Sequence, residues 1–101
     1  MYIIIWEYKI HPVHKSQFLE YYKPDGLWTK FFRQAENYIS TDLLMSEAKE
    51  HTFITIDKWV SKESYETFLK THETKYLELD LICERLTSSE KQIGKYFAFV
   101  E

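Results

Sequence analysis

The sequence predicts an α+β domain of the ferredoxin-like class, with four antiparallel strands and helices on one face of the sheet. Three observations carry that prediction. Segments of alternating apolar and β-branched residues are interleaved with segments of helical period in the order strand, helix, strand, strand, helix, strand, which is the split βαβ arrangement. The chain of 101 residues is long enough for a single domain, 1–101, and no more. Finally, 18% of the residues are aromatic beside only 2 Gly and 2 Pro, a balance that excludes disordered or low-complexity architectures and requires a core, an interface or a cavity to bury the rings.

The first strand runs over residues 2–10 and is stopped by Pro12. Its even positions, Tyr2, Ile4, Trp6, Tyr8 and Ile10, are all apolar, whereas the odd ones pass from Ile3 and Ile5 to Glu7 and Lys9, so its first half is apolar on both faces. Pro12 suits the first turn of a helix, and Phe18, Tyr21 and Tyr22 recur at helical spacing as far as Lys23. The breaker Pro24-Asp25-Gly26 is followed by a second helical piece with Asp25 as its N-cap, in which Leu27, Trp28, Phe31, Phe32 and Ala35 repeat at one-turn intervals. Residues 38–45 read as the second strand, 46–50 as a polar turn and 51–60 as the third strand, making a hairpin. That third strand puts Ile54, Ile56 and Val60 on one face and Phe53, Thr55, Asp57 and Trp59 on the other.

Ser61 is the expected N-cap of the next helix, with Val60 stapled onto Tyr65. The stripe Tyr65, Leu69, His72, Tyr76, Leu79, Cys83 and Leu86 would make an unbroken helix of roughly 40 Å, too long for a domain of this size, so a break is predicted near residues 71–74. A polar loop over 87–92 and a fourth strand over 93–100 complete the order. With the helices on one face, the other face of the sheet has no cover within the chain, and a second copy is the simplest cover for it. The expectation is a homodimer with sheets face to face and a cavity either between sheet and helices or between sheets. Tyr2, Trp6, Tyr8, Phe53, Trp59, Phe97 and Phe99 lie on predicted strands, which assigns much of the aromatic excess to that dimer interface.

Charge and cysteine usage narrow the setting. Lys and Arg number 13 against 16 Asp and Glu, a net charge of −3 that makes nucleic acid a poor partner. The single cysteine, Cys83, cannot form an internal disulfide and suits a reducing, cytoplasmic setting. The apolar run from Tyr2 to Trp6 is too short for a signal peptide or a membrane span. Two isolated glycines cannot cradle a phosphate, and His11 and His14 have no evident third ligand, so neither a nucleotide cofactor nor a metal is expected.

The run Ile54-Thr55-Ile56-Asp57-Lys58-Trp59, followed by Ser61-Lys62-Glu63-Ser64-Tyr65 and Phe68-Leu69, resembles the strand-to-helix signature of the antibiotic biosynthesis monooxygenase superfamily, the dimeric α/β barrels. The upstream Tyr21-Tyr22-Lys23-Pro24-Asp25-Gly26-Leu27-Trp28 is similar to a subgroup of small, uncharacterised members. The resemblance implies several chemistries: oxidation of aromatic or quinol compounds by O2 without a cofactor, haem degradation, or ligand binding alone. In the cofactor-free branch a Trp at the end of the third strand and a Tyr six residues later lie near the substrate, and Trp59 and Tyr65 match them. That branch also carries an Asn where this chain has Thr55, and an Arg near the position of Leu79. In the haem-degrading branch the helical Trp position corresponds to Phe68, and His72 lies well before the expected histidine.

The residues themselves suggest roles. The flat face of Trp59 would stack on an aromatic substrate, Tyr65 would hydrogen-bond a phenolate, His72 would act as a base near neutral pH, and Asp57 would orient an imidazole or a hydroxyl. Trp28, Phe32 and Phe68 would wall the substrate pocket. Most have a plainer account: Trp59 as core or interface, Trp28, Phe31 and Phe32 as a core-facing helix, Tyr65 as staple partner, His72 as a hydrogen-bonded core or helix-break residue and Asp57 as half of a surface ion pair. The functional expectation is a homodimeric, cofactor-independent monooxygenase acting on a small aromatic or quinol compound. The alternatives are a non-catalytic dimeric module that binds a small hydrophobic ligand, and a haem-binding relative using His72.

Overall fold

The computed structural model describes residues 1–99. Among these, strands β1 (Tyr2–Ile10), β2 (Tyr38–Met45), β3 (Thr52–Trp59) and β4 (Thr87–Phe97) form one antiparallel sheet in the order β2-β3-β1-β4. Helices α1 (Lys15–Tyr22), α2 (Leu27–Phe32), α3 (Lys62–Thr71) and α4 (Glu73–Cys83) complete the ferredoxin-like order. A single core joins sheet and helices. Phe18 of α1 lies against Tyr8 of β1 and Phe53 of β3, with ring centroids 5.8 and 5.1 Å apart, and Phe32 of α2 meets Trp59 of β3 edge to face at 5.6 Å.

Local chemistry explains where the elements start and stop. Pro12 opens a short 3-10 turn that leads into α1. The N-cap of α2 is Gly26, not Asp25: the Gly26 N–H donates to the Lys23 carbonyl at 2.8 Å, and a Cβ on Gly26 would sit 2.7 Å from the Glu20 carbonyl oxygen, so only glycine lets the chain turn this tightly off the end of α1. His51 takes φ 54° to close the β2–β3 hairpin. Ser61 caps α3 reciprocally with Ser64, whereas Val60 stays 53% exposed and Tyr65 instead packs edge-on against Trp59 at 5.4 Å. The predicted break falls at His72, between α3 and α4.

The fourth strand begins earlier than its composition suggests. Thr87 to Gln92, read from sequence as a polar loop, pairs with β1 from Ile10 back to Trp6. Because β4 is an edge strand with little burial, the ladder to β1 holds it and its side chains can be polar, a pattern that charged edge strands share. The expected end of this strand at Val100 lies outside the described residues.

The two faces of the sheet differ in kind. Registers β1–β3 and β2–β3 place Tyr2, Tyr8, Phe53 and Trp59 on the helix side, where all four are buried. The opposite face carries Ile3, Ile5, Ile54, Ile56 and Leu44. Strand aromatics expected at a dimer interface are therefore mostly in the core, and the uncovered face is largely aliphatic, with Glu7, Lys58 and Asp42 among the isoleucines. On that face Tyr96 folds over Gly94, where an added Cβ would lie 2.7 Å from the Tyr96 ring.

Candidate functional site

A narrow cavity, partly open to solvent, lies between the sheet and the helices. The sheet supplies Trp6 and Tyr8 from β1, Thr41 from β2, Thr55 and Asp57 from β3 and Glu90 from β4. The helices supply Tyr22, Trp28, Phe32, Tyr65, Tyr76 and Asp80. Period-two alternation explains the sheet side: Thr55 and Asp57 share a face with Phe53 and Trp59, while Thr41 stands directly opposite Asp57 in the β2–β3 register. On the helix side, Tyr65 and Tyr76 reach the same space because the α3–α4 junction redirects the chain between them.

Asp57 is the chemical centre of this space. Thr41 Oγ1 donates to Asp57 Oδ1 at 2.6 Å, and the Tyr38 hydroxyl lies 2.7 Å from Thr41 Oγ1. A threonine hydroxyl has one hydrogen, so while Thr41 donates to the carboxylate, Tyr38 donates to Thr41; when Asp57 is protonated, the whole chain can reverse. Removal from water pushes the Asp57 carboxyl up to about 6, and the Thr41 hydrogen bond only partly opposes this. Among the described residues, no lysine, arginine or histidine lines the cavity.

The surrounding phenols remain protonated. Burial, with the charge of Asp80, Glu90 and Asp57 added, pushes Tyr76 up to about 12, and burial raises Tyr65 and Tyr8 as well. They can donate hydrogen bonds but cannot serve as bases near neutral pH, whereas Asp57 sits where a general base works best. Asp80 and Glu90 are also raised, first by burial and then by neighbouring carboxylates. Thr55 Oγ1 and Trp28 Nε1 are buried in the cavity wall, near the Tyr8 hydroxyl and the Cys83 thiol, without a close hydrogen bond among the described residues.

The structure brings Asp57, Tyr65, Trp28 and Phe32 to this cavity and leaves Trp59, Phe68 and His72 out of it. Trp59 is 0% exposed because it sits at the end of β3, opposite Tyr2 and Tyr38, with the rings of Phe32, Tyr65 and Phe68 closing over it; no face is free to stack on a ligand. Phe68 fills the core between Trp59, Phe31 and Phe32. His72 belongs to the helix junction, where its ring lies against Phe68 at 4.5 Å beside a shallow surface groove, so it can be neither a base nor a haem ligand within the cavity. Nor is Asp57 half of an ion pair: the nearby Lys58 faces the other way and pairs with Asp42 at 3.1 Å.

Several lining residues escaped sequence reasoning. Tyr76 was visible on the Tyr65 stripe, about three helical turns on, although nothing marked it as functional. Thr41, Asp80 and Glu90 carry no local signal, since only pairing and helix docking bring them together. Cys83 is buried beside this region, and burial raises its thiol, which leaves it an inert apolar side chain.

A ferredoxin-like sheet with helices on one side and a carboxyl-centred, aromatic-lined cavity between them defines a small α+β protein with an internal cavity. The chain belongs to the antibiotic biosynthesis monooxygenase family, whose model matches residues 1–76. Among solved structures it is similar to SnoaB, a cofactor-independent oxygenase from Streptomyces nogalater, with 14% identity, 99% of this chain and 94% of that chain covered, and a TM-score of 0.74. A structure described as an antibiotic biosynthesis monooxygenase aligns with 17% identity over 99% of this chain and 100% of that one, at a TM-score of 0.66. A conserved protein of unknown function from Bacteroides thetaiotaomicron aligns with 18% identity over 94% and 93% of the two chains, at a TM-score of 0.67. At such identities these likenesses concern the fold. No curated protein matches the sequence.

Proposed function

We propose that the protein is a homodimeric, cofactor-independent monooxygenase that oxidises a small aromatic or quinol compound in the cavity between sheet and helices. The observation that carries this reading is Asp57: a carboxyl held near pKa 6, wired through Thr41 to Tyr38, and facing an aromatic enclosure. A half-buried carboxylate without a cation partner is unfavourable to folding and makes sense as a proton acceptor. Family membership and the fold shared with a cofactor-independent oxygenase support the reaction class.

In this mechanism Asp57 removes a proton from an activated C–H or O–H of the substrate, while Tyr65 and Tyr76 donate hydrogen bonds to the oxygen that becomes negative. The electron pair left on the substrate carbon passes to O2, forming a carbon–oxygen bond and a peroxide. The peroxide takes the proton back from Asp57 and loses water, leaving a carbonyl, so that a methylene carbon and one O2 give a carbonyl and one water. Thr41 and Tyr38 follow the charge on Asp57 by reversing their donor sense. The aromatic walls exclude bulk water from the reactive carbanion.

The dimer in this proposal uses the uncovered face of the sheet, where Ile3, Ile5, Ile54, Ile56 and Leu44 form an aliphatic surface and Leu44 is 49% exposed. Light scattering should return twice the chain mass of 12.3 kDa. The reaction is tested by O2 consumption with a panel of hydroquinones and phenols. Tyr65→Phe should slow turnover by about tenfold or more while the fold is kept, and a panel in which no compound consumes O2 would defeat the enzyme reading.

A further inference from the structure

The cavity is aromatic on most sides, acidic at three points and, among the described residues, basic at none. Asp57 lies on β3, Asp80 on α4 and Glu90 on β4, so the three carboxylates approach from different elements. They do not form a metal-binding cluster. Negative charge that is spread around ring faces suits a charge of larger radius, and the faces of Tyr and Trp themselves attract organic cations. The wall also holds two buried polar groups that make no close hydrogen bond among the described residues: Thr55 Oγ1, in a side chain 2% exposed, near the Tyr8 hydroxyl, and Trp28 Nε1, in one 8% exposed, near the Cys83 thiol. Such groups are available to hydrogen-bond a ligand that enters beside them.

Resting on the proposal that this cavity is the ligand site, we infer that it selects a small aromatic compound bearing a positively charged amine, with the ring enclosed by Trp6, Trp28 and Tyr76 and the ammonium directed to Asp80 and Glu90. An anionic ligand would meet three carboxylates with no cation to offset them. A neutral phenol would leave the charges of Asp80 and Glu90 uncompensated; burial, with the charges of Asp80 and Glu84 added, already raises Glu90. The ammonium satisfies both. It leaves Asp57, deeper in the hydrogen-bonded chain with Thr41, free to accept a proton from the ring end. Glu90 is exposed and Asp80 half-exposed, so they stand at the mouth, where they can sort ligands by charge before the ring enters.

The test is a charge series on one phenol ring, read by titration calorimetry without reference to turnover. The probes are tyramine, para-ethylphenol and para-hydroxyphenylpropionate, whose tails are cationic, neutral and anionic. Tyramine should bind at least about tenfold tighter than para-ethylphenol, and the anionic probe should be weakest. In the Asp80→Asn/Glu90→Gln protein the tyramine advantage should shrink to about twofold, with the neutral probe unchanged. Glu90→Gln alone, at an exposed position, provides a variant that folds if the double variant does not, and should lose part of the advantage. Equal affinities for the three probes, preference for the anion, or an advantage that survives both substitutions would overturn the inference. If the order holds but no probe or quinol consumes O2, the monooxygenase reading alone falls; if O2 is consumed without charge preference, this inference alone falls; no binding by any probe would sink both.

Discussion

The two faces of the sheet are built from the same strands and do opposite things. Along β3, Phe53, Thr55, Asp57 and Trp59 turn to the helices, while Ile54, Ile56 and Lys58 turn away. The helix side mixes large rings with short polar residues, and rings of unlike size packed on a curved sheet leave a gap that Thr41, Thr55 and Asp57 make polar. The other side sets Ile3, Ile5, Ile54 and Ile56 among the charged residues Glu7, Asp42 and Lys58. The outer face is aliphatic at its centre and charged around it; the helix-side face is aromatic, uneven and encloses a cavity.

Within the helix side a second contrast separates Trp59 from Asp57, two residues on one face of one strand. Trp59 supports the core, and Trp59→Ala should give the largest effect on stability, a loss of about 3–5 kcal/mol that lowers the thermal midpoint by at least about 12 °C in a domain of this size. Trp59→Phe should leave ligand binding within about twofold of the parent, because no ligand touches the indole; a large loss of binding with the fold intact would return Trp59 to the site.

On the opposite face, Ile56→Asp places a charge in the middle of the proposed dimer interface. Light scattering should then fall from twice 12.3 kDa to 12.3 kDa, while circular dichroism stays that of a folded protein. If mass is unchanged, the partner lies elsewhere and the contrast between faces loses its meaning.

Asp57 should behave in the opposite sense to a structural residue. Its pKa in the folded state, about 6, is above the ordinary 3.8, so the fold disfavours the ionised form. The stability associated with protonated Asp57 is fully present below about pH 3.8 and is lost as pH rises through about 6. Denaturant unfolding at pH 7 should therefore find Asp57→Asn more stable than the parent by up to about 3 kcal/mol, with most of the gap closed by about pH 4. A variant less stable at pH 7 would make Asp57 a structural residue after all. The smallest effect is expected at Gly94→Ala, on the outer face, which displaces the Tyr96 ring and should change stability by less than about 1 kcal/mol.

Much of this was legible in the sequence because it depends on local rules. Alternation placed β1, β2 and β3 and divided the residues of β3 correctly between its faces; length and the residues near 71–74 located the α3–α4 break. β4 was legible only in part, since an edge strand held by one neighbour does not need an apolar pattern. At the site, Asp57, Tyr65, Trp28 and Phe32 could be named from residue type and from the family resemblance, yet Trp59 and Phe68, equally plausible by those signs, are core. Burial of a ring against other rings and enclosure of a ligand by rings have the same sequence signature. Thr41, Asp80 and Glu90 become neighbours only through strand pairing and helix docking, which no spacing in the chain reveals.

The central claim is that Asp57 serves the reaction at the expense of the fold, and O2 consumption by wild type and Asp57→Asn, measured side by side at pH 7 on one turned-over phenol or quinol, tests it most directly. The predicted result is a variant that is folded, at least as stable as the parent, and slower by about 100-fold or more. Equal turnover by the two proteins would contradict it.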